Sequence, residues 1–556
     1  MIRRAALFVC LLLPFALFPA FGQPVTEEFK KGVVVSVSAP ASEAGLAVLK
    51  EGGSAVDAAV ATAFALAVTH PAAGNIGGGG FMLVHPPKGA PTVFEYRETA
   101  PASARETMFK KDETPYSHRM VGVPGTVRGM ALAHKKYGKL AWKSVVMPAA
   151  VLAEKGFVLD AHHARSLNGI LKSAKGFAEL QRVFAKPEGG TWAAGDRLLQ
   201  PHLAKTLRQI AEGGPDAFYT GPIAQQIVAE MKAGGGLITA DDLAGYKAVE
   251  RVPIHGTYRD YDVYGPPPPS SGGICLVEML NILETFDFKK HDRFSPETLH
   301  MMAEAARRAF ADRARYLGDP AFTKIPAHLT DKDYGRKLAK QIDPNKATPS
   351  ADLADDIKLT DESDSTTHFS VIDRDGMAVA NTYTLEHSYG SRVVVKGAGF
   401  LLNNEMMDFN WRPGITTKQG AIGTPPNLIA PGKRMLSSQT PTIVASGGKP
   451  LLITGSPGSR TIINTVRDIV VNVIDYQMPI QQAVDAPRLH HQWFPDEIKL
   501  EDTATLRSAA NGLQTRGHRV VFNKSQGDAH SIWINPKTGG YIGAADKRLS
   551  GSAVGY

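Results

Sequence analysis

Apolar positions follow two rhythms along the chain, alternating runs of four to eight residues and longer helical stretches, with Gly, Pro and polar clusters between them. "VVVSVSA" (33–39) reads as a strand, and "SAVDAAVATAFALAV" (54–68) is apolar all round, as a buried Ala-rich helix would be. Ser54 stands ready as its N-cap, with Asp57 three residues on. "NIGGGGFMLVH" (75–85) is a glycine hairpin or loop entering a strand, and "VFEYRETAP" (93–101) a strand ending in the charged pair Arg97 and Glu98. Residues 120–250 alternate helical stretches with Gly and Pro breaks, and "YGPPPPSSGG" (264–273) is a stiff loop feeding the helix "ICLVEMLNILETF". "ARRAFADRARYLGD" (306–319) reads as a solvated basic helix face punctuated by Asp312 and Asp319.

Beyond residue 345 the pattern changes. "DLADDIKLTDESDS" carries six acidic residues and one lysine with little to bury, so it reads as a solvated loop or linker. "TTHFSVID", a "DRDG" turn and "MAVANTYTL" then form a β-hairpin. With a two-residue turn Thr366 falls opposite Tyr383 or Leu385, and either way Thr384 lies within one residue of it. Such a Thr–Thr pair is also a common structural device. "GFLLNNEMMDF" (399–409) reads as a strand running into carboxylates, and "KRMLSSQTPTIV" (433–444) as a loop with paired serines before a strand. "LLITGSPGSRTIINTVRDIVVNVI" (451–474) is strand, Gly/Ser turn and helix, which is either a tight connection or an anion or oxyanion site built from free N–H groups. No internal repeat is apparent, and strands interleave with helices from end to end.

The first 22 residues stand apart from this pattern. Arg3 and Arg4 precede the short, Pro-broken apolar run "AALFVCLLLPFALF", and small residues at "AFG" (20–22) suit cleavage before Gln23. An exported chain follows, periplasmic or secreted, with no membrane-spanning segment in its mature part. Of the two cysteines, Cys10 leaves with the leader, so Cys275 has no internal partner and reads as a packed small hydrophobe. A formal net charge of +8 without a dense basic run or aromatic–basic interleaving does not suit a nucleic-acid partner.

Several chemistries are excluded by spacing. There is no HExxH, no GxSxG and no Gly-Lys-Ser/Thr after the glycine run. The doublets His162–His163 and His490–His491 lack the same-face spacing of a helical metal pair. "SGGK" (446–449) matches SxxK but falls in a turn between strands. No pattern calls for a metal or an organic cofactor.

The trio Ser365, Thr366 and Thr367, where the acidic loop meets the strand, suggests another mechanism. A threonine hydroxyl is a poor nucleophile until a base takes its proton, and an N-terminal amine with a pKa of about 7.7–8.0 can be that base. Thr366 Oγ could attack the preceding carbonyl, convert amide to ester, and on hydrolysis release a chain beginning at Thr366. Thr367 points to the opposite face and is assigned packing or local hydrogen bonding.

"TTHFSVIDRDGMAVANTYTL", "LLNNEMMDF", "KRMLSSQTPTIV", "TGSPGSR", "NIGGGGFM", "YRETAP", "PPPPSSGGI" and the closing "VGY" together resemble the gamma-glutamyltransferase family of N-terminal-nucleophile hydrolases, over roughly residues 30–556. The resemblance implies an α/β (α+β) protein, a four-layer αββα sandwich. It implies a leader at 1–22 and a precursor cut between Ser365 and Thr366 into a large subunit 23–365 and a small subunit 366–556, an interleaved heterodimer. On the family pattern Thr366 matches the nucleophile and Thr384 the hydroxyl that assists it. Arg97 matches the carboxylate grip, although it could simply pair with Glu98. Glu386, Glu405 and Asp408 match acceptors of the substrate ammonium. Ser437 and Ser438 match donors at the carboxylate end. Gly458 and Ser459 match the oxyanion turn, usually Gly-Gly in the family, and a serine is costly there if the position needs φ > 0. The stretch between Asp408 and Ser437 has the length of members with a lid, with Gln419 where those lids often present an aromatic gate.

The implied activity is transfer of a γ-glutamyl group from glutathione or related γ-glutamyl compounds to water, amino acids or dipeptides. Two other readings fit less well: a glutaryl or cephalosporin-type acylase on the same fold, and a non-catalytic γ-glutamyl-binding protein.

Overall fold

The computed structural model describes residues 27–110, 112–353, 360–361 and 366–556, with only the backbone described at 360 and 361. The leader, Ser365 and most of the acidic run lie outside the described residues. Two antiparallel sheets form the centre. One has seven strands, in spatial order Ser552–Gly555, Gly32–Ser36, Thr367–Asp373, Ala378–Thr384, Gly79–His85, Thr92–Glu95 and Val249–Arg251. The other has six, in the order Tyr541–Ala545, His530–Ile534, Lys449–Thr454, Thr442–Ser446, Tyr261–Gly265 and Ile254–Tyr258.

Alternation along these strands builds three cores, which makes the molecule an αββα sandwich. Val33, Val35, Phe81, Ile372, Ile443 and Ile453 meet between the sheets. Val34, Val84, Phe369 and Val371 point the other way, against the helix Ala55–Thr69 and its neighbours. Val444 and Leu452 pack against a second helical layer that includes Gly272–Leu283, Pro296–Tyr316 and Thr461–Ile474. The capping box at Ala55–Thr69 forms as the sequence implies, with Ser54 and Asp57 bonded reciprocally. Cys275 is fully buried and its thiol is pushed well up by burial. Among the described residues, no helix is long and apolar enough to cross a membrane.

Three sequence expectations need correction. The hairpin turn is longer than two residues: Ile372 pairs with Ala378, Asp373 N–H bonds to Met377 O, and Gly376 adopts φ +82°. This odd-length connection shifts the register by one, so the ladder ends at Thr367↔Tyr383 and its continuation sets Thr366 opposite Thr384 itself. "GFLLNNEMMDF" is not a strand beyond a single bridge from Leu401 to Val394, because side-chain bonds from Asn403 and Asn404 turn it into the 3₁₀ turn Glu405–Asp408. Finally, the basic helix face is buried. Arg307, Arg308 and Arg313 are each at most 8% exposed, and buried partners such as Glu304 and Ser438 offset the cost of desolvating them.

Candidate functional site

Thr366 is half-buried and immediately precedes the strand Thr367–Asp373. Thr367 is buried, on the face opposite to Thr366. By the same alternation Thr366 shares the inter-sheet face with His368, Ser370 and Ile372. That face is apolar at the Ile372 end and polar toward Thr366. His368 Nδ1 lies 2.8 Å from Thr382 Oγ1 and its Nε2 3.1 Å from Ser370 Oγ, and Ser370 donates to His530 O at 2.8 Å. Burial, with His530 nearby, holds the His368 imidazole well below its usual range, so it is neutral. Its ring fills the place of a side chain at residue 455: a Cβ on Gly455 would stand 2.3 Å from it.

Thr384 is fixed from both sides. Asn75 Nδ2 donates to its carbonyl at 2.8 Å, and the Glu386 N–H donates to its Oγ1 at 2.8 Å. The glycine run explains itself here, since a Cβ on Gly78 would sit 1.9 Å from Thr384 O. Glu386 follows in a left-handed backbone conformation, φ +74°, and is buried.

Arg97 leaves the strand Thr92–Glu95 and is fully buried. Its Nη1 lies 2.6 Å from Glu405 and 3.4 Å from Glu98, its Nη2 contacts Asp408, and its Nε donates to Met435 O at 3.2 Å. Burial opposes this charge, but Glu405, Asp408, Glu98 and Glu386 overcome it and raise the guanidinium's pKa. Glu405 pays for the same burial in the opposite sense and is pushed well above the carboxylate range, despite Arg97. Glu98 is pushed up to about 8, again chiefly by burial. Glu386, Glu405 and Asp408 bring one carboxylate oxygen each within 4.8 Å of one another, an arrangement suited to a small cationic group. Sequence reading missed Asn403, which orders this cluster. Its amide donates to Gly77 O and Gly122 O, both at 2.8 Å, and its oxygen accepts the Glu405 N–H at 3.0 Å. The only signal for it was its place in the Asn403–Asn404 doublet.

Ser437 and Ser438 are buried beside the Pro-rich loop, where Ser437 N–H bonds Pro269 O at 2.8 Å. The turn after Lys449–Thr454 places Gly458 at φ +123° and Ser459 at φ +56°. The costly case foreseen for the serine is therefore the one observed. The N–H of Thr461 bonds Gly458 O at 3.0 Å, and Thr461–Ile474 begins there.

A cavity brings Asp408, Ser438 and Ser459 together with Arg313. Thr366, Thr384 and Arg97 are outside its lining, but Asp408 reaches from it back to Arg97. Residues from the stretch 409–422 line part of it, with Phe409 and Trp411 as its aromatic side chains and Gln419 outside its lining. Gly420–Ala421 pairs with Thr360–Asp361, and Arg460 Nη1 donates to Gly420 O at 2.6 Å.

A second group of metal-ligand type, His300, Glu304 and His518, lies in the other helical layer. His300 bonds His518 at 2.7 Å and Asp343 O at 2.8 Å, and Arg307 and Arg308 both meet Glu304.

The sequence profile described as Gamma-glutamyltranspeptidase matches residues 41–556. The glutathione hydrolase proenzyme of Escherichia coli (strain K12) is 48% identical over 532 residues, 93% of this chain and 90% of that one. The glutathione hydrolase proenzyme of Pseudomonas sp. (strain A14) is 41% identical over 563 residues, 98% and 97% of the two chains. Among solved structures, a cephalosporin acylase from Bacillus halodurans superposes with a TM-score of 0.85 at 27% identity, covering 98% of this chain and 99% of that one.

Proposed function

Given that the chain belongs to the gamma-glutamyltranspeptidase family, we propose that it is a self-processing gamma-glutamyltransferase with glutathione hydrolase activity, exported to the periplasm or secreted. The observation that carries this reading is the buried Arg97 held among Glu405, Asp408 and Glu98, next to the hairpin end that presents Thr366 and Thr384. A cation with several carboxylates around it complements an amino-acid head group, which needs both a carboxylate partner and ammonium acceptors.

In this reading residues 1–22 are a leader, and cleavage between Ser365 and Thr366 yields subunits 23–365 and 366–556 that remain one folded heterodimer. Thr366 Oγ adds to the Ser365 carbonyl, the C–N bond breaks to give an ester and a free Thr366 amine, and water hydrolyses the ester. The freed amine is then the base for the enzyme reaction. Arg97, Ser437 and Ser438 hold the donor's α-carboxylate, and Glu386, Glu405 and Asp408 its ammonium. Thr366 Oγ attacks the γ-carbonyl while its proton passes to the Thr366 amine and on to the departing amine, cysteinylglycine when glutathione is the donor. Backbone N–H groups at Gly458 and Ser459 receive the negative charge of the tetrahedral oxygen. Water then releases glutamate, or an amino acid or dipeptide takes the γ-glutamyl group. Thr384 hydrogen-bonds beside the nucleophile.

The acylase alternative shares the fold but has no use for an ammonium site, and the carboxylate cluster around Arg97 argues against it. Purified protein should release p-nitroaniline from γ-glutamyl-p-nitroanilide far faster than from the glutaryl analogue, and mass spectrometry should find a chain beginning at Thr366. Preference for the glutaryl amide would overturn the reading in favour of an acylase. An uncleaved, inactive chain would favour the binding role.

A further inference from the structure

The long helix Pro296–Tyr316 sends Arg313 into the cavity that Asp408, Ser438 and Ser459 line, and this side chain is buried there. Its Nη2 donates to Ser438 Oγ at 3.0 Å and its Nε to Ser271 Oγ at 2.9 Å. Ser271 in turn donates its hydroxyl proton to the Ser437 carbonyl at 2.7 Å, and its N–H meets the same carbonyl at 2.8 Å. A guanidinium has donors only, and a serine hydroxyl has one proton. The bond from Arg313 therefore takes a lone pair of Ser438 Oγ and leaves the Ser438 proton to be donated. Ser437 Oγ is in a similar position, because it accepts the Gln439 N–H at 3.1 Å. The buried cation thus fixes the Ser438 hydroxyl as a donor, and the Gln439 N–H does the same for its neighbour Ser437.

We infer that Arg313 is a positioning and specificity-determining residue for the α-carboxylate of the donor. It orients the Ser438 hydroxyl directly and holds the Ser437 backbone through Ser271. This rests on the reading of Ser437 and Ser438 as the carboxylate end of the donor site. A hydroxyl that accepts a bond from a charged donor becomes a stronger donor itself, and a carboxylate is the ligand that gains most from it.

The test compares γ-glutamyl-p-nitroanilide with the same compound carrying an α-carboxamide, in wild type, Arg313→Met and Ser271→Ala. Two-band processing of each variant shows that it has folded. Arg313→Met is expected to lose about ten-fold or more in kcat/KM on the acid donor, mainly through KM, and less than about three-fold on the carboxamide. Ser271→Ala is expected to shift the same ratio in the same direction by about three-fold or more. If Arg313→Met stays a single chain, the ratio in Ser271→Ala decides alone. Equal losses on both donors, or no loss on either, overturn the inference. Wild-type protein inactive on the acid donor would instead sink the proposed function, so the two failures are distinguishable.

Discussion

Arg97 and Glu405 are both fully buried and lie 2.6 Å apart, the guanidinium raised in pKa and the carboxyl pushed well up. Burial opposes both charges, and the surrounding carboxylates keep the guanidinium protonated. Removing one partner of such a pair costs about 2–5 kcal/mol. Arg97→Met is expected to raise KM for γ-glutamyl-p-nitroanilide by about 30-fold or more. Arg97→Lys should recover little of it, because an ammonium cannot reach Met435 O, Glu405 and Asp408 together. Steady-state kinetics on both variants checks this.

Continued by one residue, the hairpin register sets Thr366 opposite Thr384. Thr366→Ala is expected to remain one polypeptide with no turnover, by gel electrophoresis and mass spectrometry. Thr384→Ala should still process, but roughly 100-fold more slowly, as for the loss of a group that assists proton transfer.

The turn residues Gly458 and Ser459 differ in what they tolerate. A Cβ on Gly458 would lie 2.4 Å from Thr461 Oγ1 and would impose φ +123° on a side-chain-bearing residue. Gly458→Ala should lower the melting temperature and kcat together, with backbone strain of about 1–3 kcal/mol. Ser459→Gly relieves a left-handed serine and keeps the N–H, so its kcat should stay within about three-fold of wild type.

Acid stability should depend on the histidines near Arg307. Burial, then His300 and Arg307, lowers His518 to about 3, and burial, then Arg307, lowers His491 to about 4. Both stay neutral in the fold but take up a proton in the unfolded chain below their ordinary value of 6.5. The unfolded state thus binds more protons across that window, and stability rises with pH through it. It is fully present above pH 6.5 and is lost as pH falls toward 3–4. Melting temperature should therefore drop between pH 7 and about 4, and His518→Gln should flatten that slope. A slope unchanged by the substitution would count against it.

Much of this site was legible because the residues involved are tied to local chemistry. Hydroxyls at a loop-to-strand junction, an Arg-Glu pair at a strand end, and a glycine turn before a helix each announce a backbone arrangement within a few positions. Arg313 was not legible. A helical arginine beside Asp312 looks like surface, and only the packing of Pro296–Tyr316 against the serine loop makes it a buried donor. Asn403 likewise acts through carbonyls at Gly77 and Gly122, far away in sequence.

By itself the sequence determined the alternation of strands and helices, the capping box of Ala55–Thr69 and the candidate nucleophile at Thr366, while the αββα layering was what the family resemblance implied. Only the tertiary structure decided that the hairpin turn has odd length, and so that its register, continued by one residue, sets Thr366 opposite Thr384. It also decided that Ser459 takes a positive φ, and that three carboxylates close on Arg97. Side-chain periodicity is a property of one element, whereas register, buried charge and cavity lining depend on which elements the core brings together.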